Sequence, residues 1–150
     1  MLIELLTDET IIINHESMSW QDAITLSAQP LLAQGQIKSE YITAMIESVN
    51  KFGPYIVIAP KVALPHARPE KGALKMGLSL LINKTEVSFS EDPEHQVNLF
   101  FALSATDSQS HIKALTELSE VLGDEDGIAA LIAANSTSEV HAVLQRYLAQ

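Results

Sequence analysis

Two histidines, His66 and His111, occupy positions in the sequence where an imidazole could do chemistry. His66 lies in the stretch GPYIVIAPKVALPHARPEKG, residues 53–72, in which an apolar run predicts a buried strand and prolines stiffen the loop that follows. Arg68 is only two residues away. Because ligand-binding groups of open α/β sheets favour the ends of strands, where loops converge, we expect His66 to lie at such an end.

His111 precedes Leu115, Leu118 and Leu122, and it continues their inward-facing line into the first turn of a predicted helix. The positive end of a helix disfavours imidazolium, so a neutral ring there could donate a hydrogen bond to an anion. The alternative is a histidine at the edge of the core. Three further histidines are expected to be exposed or at an edge: His15, His95 and His141.

The charge distribution indicates an anionic ligand near His66. The 9 basic and 19 acidic residues give a net charge of −10, which would repel nucleic acid and anionic membrane surfaces. Basic residues cluster in sequence only around His66, as Lys61, Arg68, Lys71 and Lys75. The alternative is that these four side chains are merely solvated on a loop.

Three kinds of histidine chemistry can be compared. A serine triad could use Asp107 and a serine at 104, 108 or 110, but no G-x-S-x-G elbow is present. Zinc could use both histidines and a carboxylate, but neither H-x-x-x-H nor H-x-E spacing occurs. The third is a nucleophilic histidine that attacks a phosphoryl group, which would use the basic cluster and the second histidine together.

The elements that must position these histidines predict a three-layer α/β/α domain. The predicted order is β-α-α-β-β-β-α-α-α. Strands are expected at residues 10–14, 55–59, 76–82 and 97–105, of which the last three are continuously apolar and therefore covered on both faces. Helices are expected from Ser19 to Gly35, interrupted at Pro30, and from Ser39, the expected cap, to Phe52. Three more are expected from about Ser110 to Gly123, over 125–135 and over 138–150.

Length and composition limit the class of protein. A chain of 150 residues with 47% hydrophobic residues and no internal repeat predicts one domain over residues 1–150. No cysteine is present, which excludes disulfides and thiol catalysis and fits a reducing compartment. The start of the sequence lacks the basic region of a signal peptide, and no apolar run reaches the roughly 20 residues of a membrane span. A cytoplasmic protein is expected.

Two motifs carry a family resemblance. A-x-x-x-A-L-P-H-A-R-P-E-x-G after a strand, and D-S-Q-S-H-I-x-x-L-x-x-L some forty residues later, resemble the mannitol/fructose-type enzyme IIA components of the bacterial sugar phosphotransferase system. The resemblance implies a mixed, mainly four-stranded sheet between helical layers. It also implies that His66 accepts phosphate from the histidine phosphocarrier protein and passes it to a cysteine of a IIB component, assisted by His111. No cofactor, metal or direct sugar contact is implied.

Details of the motifs refine the resemblance. Mannitol-type members carry an arginine in the helix before the active loop, where this chain offers Asn50 and Lys51, so Arg68 or Lys51 is expected to supply the phosphate-binding charge. The G-P-Y strand and P-H-A-R-P-E loop are most similar to the ascorbate branch. A carrier for another sugar or sugar alcohol, and a regulatory phospho-adaptor similar to nitrogen-related IIA proteins, remain as alternatives. The partner surface is expected to have an apolar rim, with candidates Ile58, Val62, Ala63, Leu64 and Ala67 where these are not buried.

Overall fold

The computed structural model describes residues 1–107 and 109–148, and it shows a mixed sheet of five strands. In chain order the strands are β1 (Ile11–Asn14), β2 (Val57–Ala59), β3 (Lys61–Ala63), β4 (Gly77–Ser88) and β5 (Gln96–Ser104). Their order across the sheet is β1-β4-β5-β3-β2. β1 is parallel to β4 and β3 is parallel to β5, whereas the β4–β5 and β2–β3 pairs are antiparallel.

The sheet has one strand more than the four predicted, because the apolar run at residues 55–63 folds into two strands. Pro60 cannot donate to a ladder, and Lys61 adopts a φ of 69°, so the chain reverses between β2 and β3. β2 is an edge strand, and Ile58 in its centre is exposed, so the prediction of a buried strand at 55–59 was wrong. The buried strand that leads to His66 is β3, in which Val62 and Ala63 are fully covered.

Within the described residues, six α-helices cover the two faces of the sheet. They are α1 (Leu2–Leu5), α2 (Trp20–Ala33), α3 (Ser39–Phe52), α4 (Ile112–Leu122), α5 (Glu125–Ala133) and α6 (Thr137–Leu148). Residues of α2 and α3 pack in one core with Leu81 and Phe100, and residues of the other four helices pack in a second core with Leu80 and Phe101. Because consecutive strand residues enter opposite cores, the strands read as continuously apolar. The three-layer prediction is confirmed.

Local signals at the helix ends were only partly correct. Ser19 caps α2, with its hydroxyl oxygen 3.1 Å from the N–H of Asp22, and Pro30 lies in the last turn without dividing the helix. Lys38, not Ser39, is the N-cap of α3, and the Ser39 hydroxyl instead contacts Glu40. Gly53 ends α3 with a φ of 84°. The last two residues of the predicted C-terminal helix, 149 and 150, lie outside the described residues, and within the described part no helix is long and apolar enough to cross a membrane.

Candidate active site

His66 lies in a loop that stays attached to the sheet after β3 ends. The N–H of Leu64 donates to the carbonyl oxygen of Ile56 at 2.8 Å, and the N–H of Leu103, near the end of β5, donates to that of Pro65 at 2.9 Å. A proline on each side of the His66–Arg68 tripeptide further restricts the backbone. The imidazole is therefore held at the end of the sheet and is half-buried.

Two contacts orient the His66 ring. Its Nδ1 lies 2.6 Å from the carbonyl oxygen of Leu64, and its ring meets Tyr55 edge to face, with centroids 5.9 Å apart and planes at 83°. A carbonyl oxygen can only accept, so Nδ1 carries the proton. In the neutral ring the lone pair then belongs to Nε2. The backbone thus selects the tautomer in which Nε2 carries the lone pair.

His111 is the N-cap residue of α4 and is half-buried. Its Nδ1 is buried, and among residues 1–107 and 109–148 it has no hydrogen-bond partner. The preceding turn is held by the Asp107 carboxylate, which accepts from the N–H groups of Gln109 (2.8 Å) and Ser110 (2.6 Å). These bonds lower the pKa of Asp107, so the carboxylate stays ionised and keeps the start of α4 in place.

The structure brings His66 and His111 to one cleft of about 300 Å³. Its other lining residues are Tyr41, Ala67, Pro69, Leu103, Ala105 and Asp107. The two histidines follow β3 and β5, which are parallel neighbours, so both loops leave the same edge of the sheet. A group bound in this cleft would contact the imidazole of His66 and, at the N-terminus of α4, the imidazole of His111.

The basic cluster is only partly gathered around this cleft. Arg68 is exposed and lines two neighbouring clefts, one of about 380 Å³ with His66 and Tyr55, the other of about 340 Å³ with Lys51 and Lys71. Lys61 lines a separate groove beside His95. Asn50 lines none of these clefts, whereas Ser48 on the same helix lines both of those that contain Arg68.

The candidates for an apolar rim around His66 differ in exposure. Val62 and Ala63 are fully buried and cannot contribute, whereas Ile58 is exposed and Leu64 and Ala67 are half-buried. In the described part of the chain, the large exposed apolar side chains are Phe52 (67% exposed), Tyr55 (48%), Ile58 (49%), Leu74 (48%) and Ile112 (52%), which directly follows His111. Phe52 is the last residue of α3; its ring contacts that of Tyr55, and the Lys51 ammonium lies over it at 5.2 Å from the ring centroid.

The remaining site candidates lie elsewhere or outside the described part. His15 is exposed, His95 is half-buried with its Nδ1 2.6 Å from the Ser90 hydroxyl, and His141 is half-buried against the carbonyl oxygen of Leu6. The expectation of exposed or edge positions for these three is confirmed. Of the serines considered for a triad, Ser108 lies outside the described residues, and Ser104 is buried and donates to the carbonyl oxygen of Lys75.

Sequence reasoning missed Tyr41. This residue lies on α3 with its ring buried, and its hydroxyl contacts the backbone of both Ala67 and Leu103. The available signal was a tyrosine in the first turn of a helix expected to cover the sheet, because a tyrosine hydroxyl that is buried usually has a hydrogen-bond partner.

Comparison with known proteins identifies the family. The model of the family described as "Phosphoenolpyruvate-dependent sugar phosphotransferase system, EIIA 2" matches residues 4–147. The chain is 39% identical over 145 residues to the mannitol-specific cryptic phosphotransferase enzyme IIA component of Escherichia coli (strain K12), covering 97% of this chain and 98% of that protein. It is 31% identical over 143 residues to the ascorbate-specific PTS system EIIA component of the same strain, covering 95% and 93%.

A solved structure agrees. The solution structure of the E. coli mannitol-specific cryptic enzyme IIA superimposes with a TM-score of 0.85 at 37% identity, over 97% of this chain and 99% of that one. Family match, sequence identity and fold all cover nearly the whole chain. The chain therefore belongs to the EIIA 2 family of the phosphoenolpyruvate-dependent sugar phosphotransferase system and is a phosphotransferase component that transfers phosphate through a phosphohistidine.

Proposed function

We propose that His66 is the phosphate-carrying residue of a relay that takes phosphate from the histidine phosphocarrier protein and gives it to a cysteine of a IIB component. The observation that carries this proposal is the bond from Nδ1 to the carbonyl oxygen of Leu64, because it leaves the Nε2 lone pair free at the edge of the sheet. Among the five histidines, His66 combines two features: its tautomer is fixed by a backbone carbonyl, and it lines a cleft together with a second histidine.

The two half-reactions balance without a cofactor. In the first, the Nε2 lone pair of His66 attacks phosphorus, the P–N bond to the carrier's histidine breaks, and its electron pair returns to the carrier's imidazole. In the second, a cysteine thiolate of the IIB component attacks the same phosphorus, the P–Nε2 bond breaks, and its electron pair returns to Nε2 of His66. Both steps require in-line approach, so the donor and the acceptor must use the same open face in turn.

His111 is proposed to stabilise the transferring group. Its Nδ1 is buried and lacks a partner in the described part of the chain, which is unfavourable in the resting state. The ring also lines the cleft that it shares with His66, where a phosphoryl oxygen could accept from an imidazole N–H, and the N-terminus of α4 favours negative charge there. His111 would thus act as an oxyanion-type donor.

Arg68 is proposed to supply the positive charge, supported by Lys51. Arg68 lines both the cleft that contains His66 and Tyr55 and the neighbouring cleft that contains Lys51, so either cation can reach the rim of the site. A guanidinium is suited to phosphate because its donors bind two oxygens at once. This arrangement would replace the arginine that mannitol-type members carry on the preceding helix.

The acceptor is proposed to be an ascorbate-type IIB component, so that the relay serves ascorbate uptake. The G-P-Y and P-H-A-R-P-E segments around His66 support this, since they form the face that an acceptor must touch. The competing candidate is a mannitol-type acceptor, which the 39% identity to the mannitol-specific relative favours over the 31% to the ascorbate-specific one.

One assay tests the relay and the acceptor together. The protein is incubated with phosphorylated phosphocarrier, and the adduct is mapped by mass spectrometry at neutral and at acidic pH. An acid-labile phosphate on His66 is expected, absent in His66→Ala and retained in His15→Ala, in which an exposed histidine is removed. Phosphate on the His66→Ala protein would overturn the assignment.

The phosphorylated protein is then mixed with ascorbate-type and mannitol-type IIB domains. Rapid loss of phosphate to the ascorbate type and slow loss to the mannitol type is expected. The reverse preference would assign a mannitol-type transporter. Retention of phosphate with both domains would favour the regulatory phospho-adaptor.

A further inference from the structure

The hydroxyl of Tyr41 lies inside the hydrogen-bond ladder that connects the His66 loop to β5. Tyr41 is on the first turn of α3, and its side chain is 1% exposed. The hydroxyl oxygen accepts from the N–H of Ala67 at 3.1 Å and donates to the carbonyl oxygen of Leu103 at 2.9 Å; the carbonyl oxygen of Ala67 is also 3.1 Å away. One side chain therefore contacts the residue after His66 and the end of the strand that leads to His111.

The register shows what this hydroxyl replaces. β3 and β5 pair in parallel with Ala63 opposite Phe100, and the same register continued by three residues places His66 opposite Leu103. A regular parallel pair at that point would contain two bonds, from Leu103 N–H to Pro65 and from Ala67 N–H to Leu103. The first bond is present at 2.9 Å. In place of the second, the Tyr41 hydroxyl bridges the N–H of Ala67 and the carbonyl of Leu103.

The inserted oxygen separates the two strands where the cleft begins. His66 and Ala67 lie on one wall of the cleft, and Leu103 lies on the wall that continues to His111. Burial raises the pKa of Tyr41, so the hydroxyl keeps its proton through the neutral range and can always donate. Only one proton is available, and the shorter distance assigns it to Leu103.

We propose that Tyr41 is a positioning residue for phosphoryl transfer, whose hydroxyl fixes the spacing between the His66 loop and the strand that carries His111. This inference rests on the proposed roles of the two histidines. Without the hydroxyl, Ala67 and Leu103 would either pair directly, which closes the gap, or stay unpaired in a buried position. In both cases the His66 ring moves relative to His111, and in-line transfer depends on that geometry.

The test compares Tyr41→Phe with Tyr147→Phe in steady-state transfer from the phosphorylated phosphocarrier. Each variant removes one tyrosine hydroxyl: that of Tyr41 bonds to the backbone of Ala67 and Leu103, whereas that of Tyr147, on α6, donates to the Asp124 carboxylate. For Tyr41→Phe we expect kcat to fall about 10–100-fold, with KM for the carrier within twofold, because the docking face is unchanged. Tyr147→Phe should transfer at the wild-type rate. In a His111→Ala background, Tyr41→Phe should lower kcat by a smaller factor, because the spacing to His111 no longer affects transfer.

Several outcomes would overturn the inference. They are an unchanged kcat in a folded Tyr41→Phe protein, a loss that appears only in KM, and a loss fully additive with His111→Ala. If Tyr41→Phe does not fold, amide exchange in the wild-type protein decides: the Ala67 amide should be protected, and exchange as fast as that of an exposed loop amide would refute the hydroxyl bridge. A wild-type protein that accepts no phosphate would refute the proposed relay instead, whereas the amide measurement would still report on the bridge.

Discussion

At the scale of single residues, the site depends on which ring nitrogen of each histidine has a hydrogen-bond partner. The carbonyl oxygen of Leu64 occupies Nδ1 of His66, while Nδ1 of His111 is buried and unpaired among the described residues. In the proposed relay, the first ring attacks phosphorus through Nε2 and the second binds a phosphoryl oxygen. Residue type and spacing in the sequence selected both histidines, but the protonated nitrogen depends on a backbone contact that only the folded loop creates.

Substitution of His111 should lower the transfer rate without disturbing the fold. His111→Ala is expected to slow phosphoryl transfer about 10²–10³-fold, the range for one lost oxyanion-type donor. Stability should change little, because the ring is half-buried and Nδ1 contributes no bond within the described chain. Rapid-quench kinetics and thermal unfolding would measure the two effects. Transfer at the wild-type rate would show that His111 is only an edge residue of the core.

Arg68 should act through its geometry as well as its charge. Arg68→Ala is expected to slow transfer, and Arg68→Lys to restore only part of the rate, because an ammonium cannot bind two phosphate oxygens in the fixed guanidinium geometry. Single-turnover rates of the two variants and the wild type provide the measurement, with Lys61→Ala as the control, since Lys61 lines a separate groove. Equal rates for Arg, Lys and Ala would transfer the role to Lys51.

At the scale of elements, the end of the sheet determines what the loops can present. The sequence predicted the helices, the continuously apolar strands and a loop with His66 at a strand end. It did not predict the β2–β3 reversal, because Pro60 was read as a stiffener of the loop and the left-handed backbone of Lys61 has no signature in a lysine. The sequence also could not predict the hydrogen bonds of Tyr41. The pattern of a helix indicates which face is buried, but not which backbone groups of the sheet a side-chain hydroxyl will contact.

The turn before α4 should affect the rate of phosphoryl transfer, because it holds His111 in position. Asp107 accepts two backbone N–H bonds there, and they lower its pKa. Asp107→Ala would remove the acceptor of both N–H groups, so the His111 ring would no longer be held in one position. We expect the transfer rate to fall about tenfold, as for the loss of a group that orients another. Asp107→Asn, which keeps one accepting oxygen, should lie between alanine and wild type in the same assay. A wild-type rate for Asp107→Ala would show that α4 holds His111 without this turn.

At the scale of the whole molecule, the two cores are separated by the sheet, and the site uses elements of both. α3 contributes Tyr41 and Phe52 from one layer, and α4 contributes His111 from the other. The site therefore depends on the global stability of the layers and not on one loop alone. The contact between α1 and α4 is a measurable part of that stability, because the Glu117 carboxylate accepts from the N–H of Leu2 at 2.7 Å.

This contact predicts an acid-sensitive contribution to folding. The hydrogen bond from Leu2 lowers the pKa of Glu117, so the folded protein binds this proton less readily than the unfolded chain. The stabilisation is complete above the ordinary carboxyl pKa of about 4.3 and is lost as the pH falls through the lower folded value. Denaturant unfolding of Glu117→Gln should therefore show a deficit at pH 7 that narrows upon acidification. A deficit that stays constant from pH 7 to pH 3 would contradict the ionic origin.

The most direct measurement is the assignment of the phosphorus to a single ring nitrogen. The protein is labelled with ¹⁵N-histidine, phosphorylated by the phosphocarrier and observed by NMR through the coupling between ¹⁵N and ³¹P. Because Nδ1 of His66 is held by the carbonyl oxygen of Leu64, the coupling should involve Nε2 of His66, and Nδ1 should keep its proton. Coupling to Nδ1 of His66, or to either nitrogen of another histidine, would contradict the proposed mechanism.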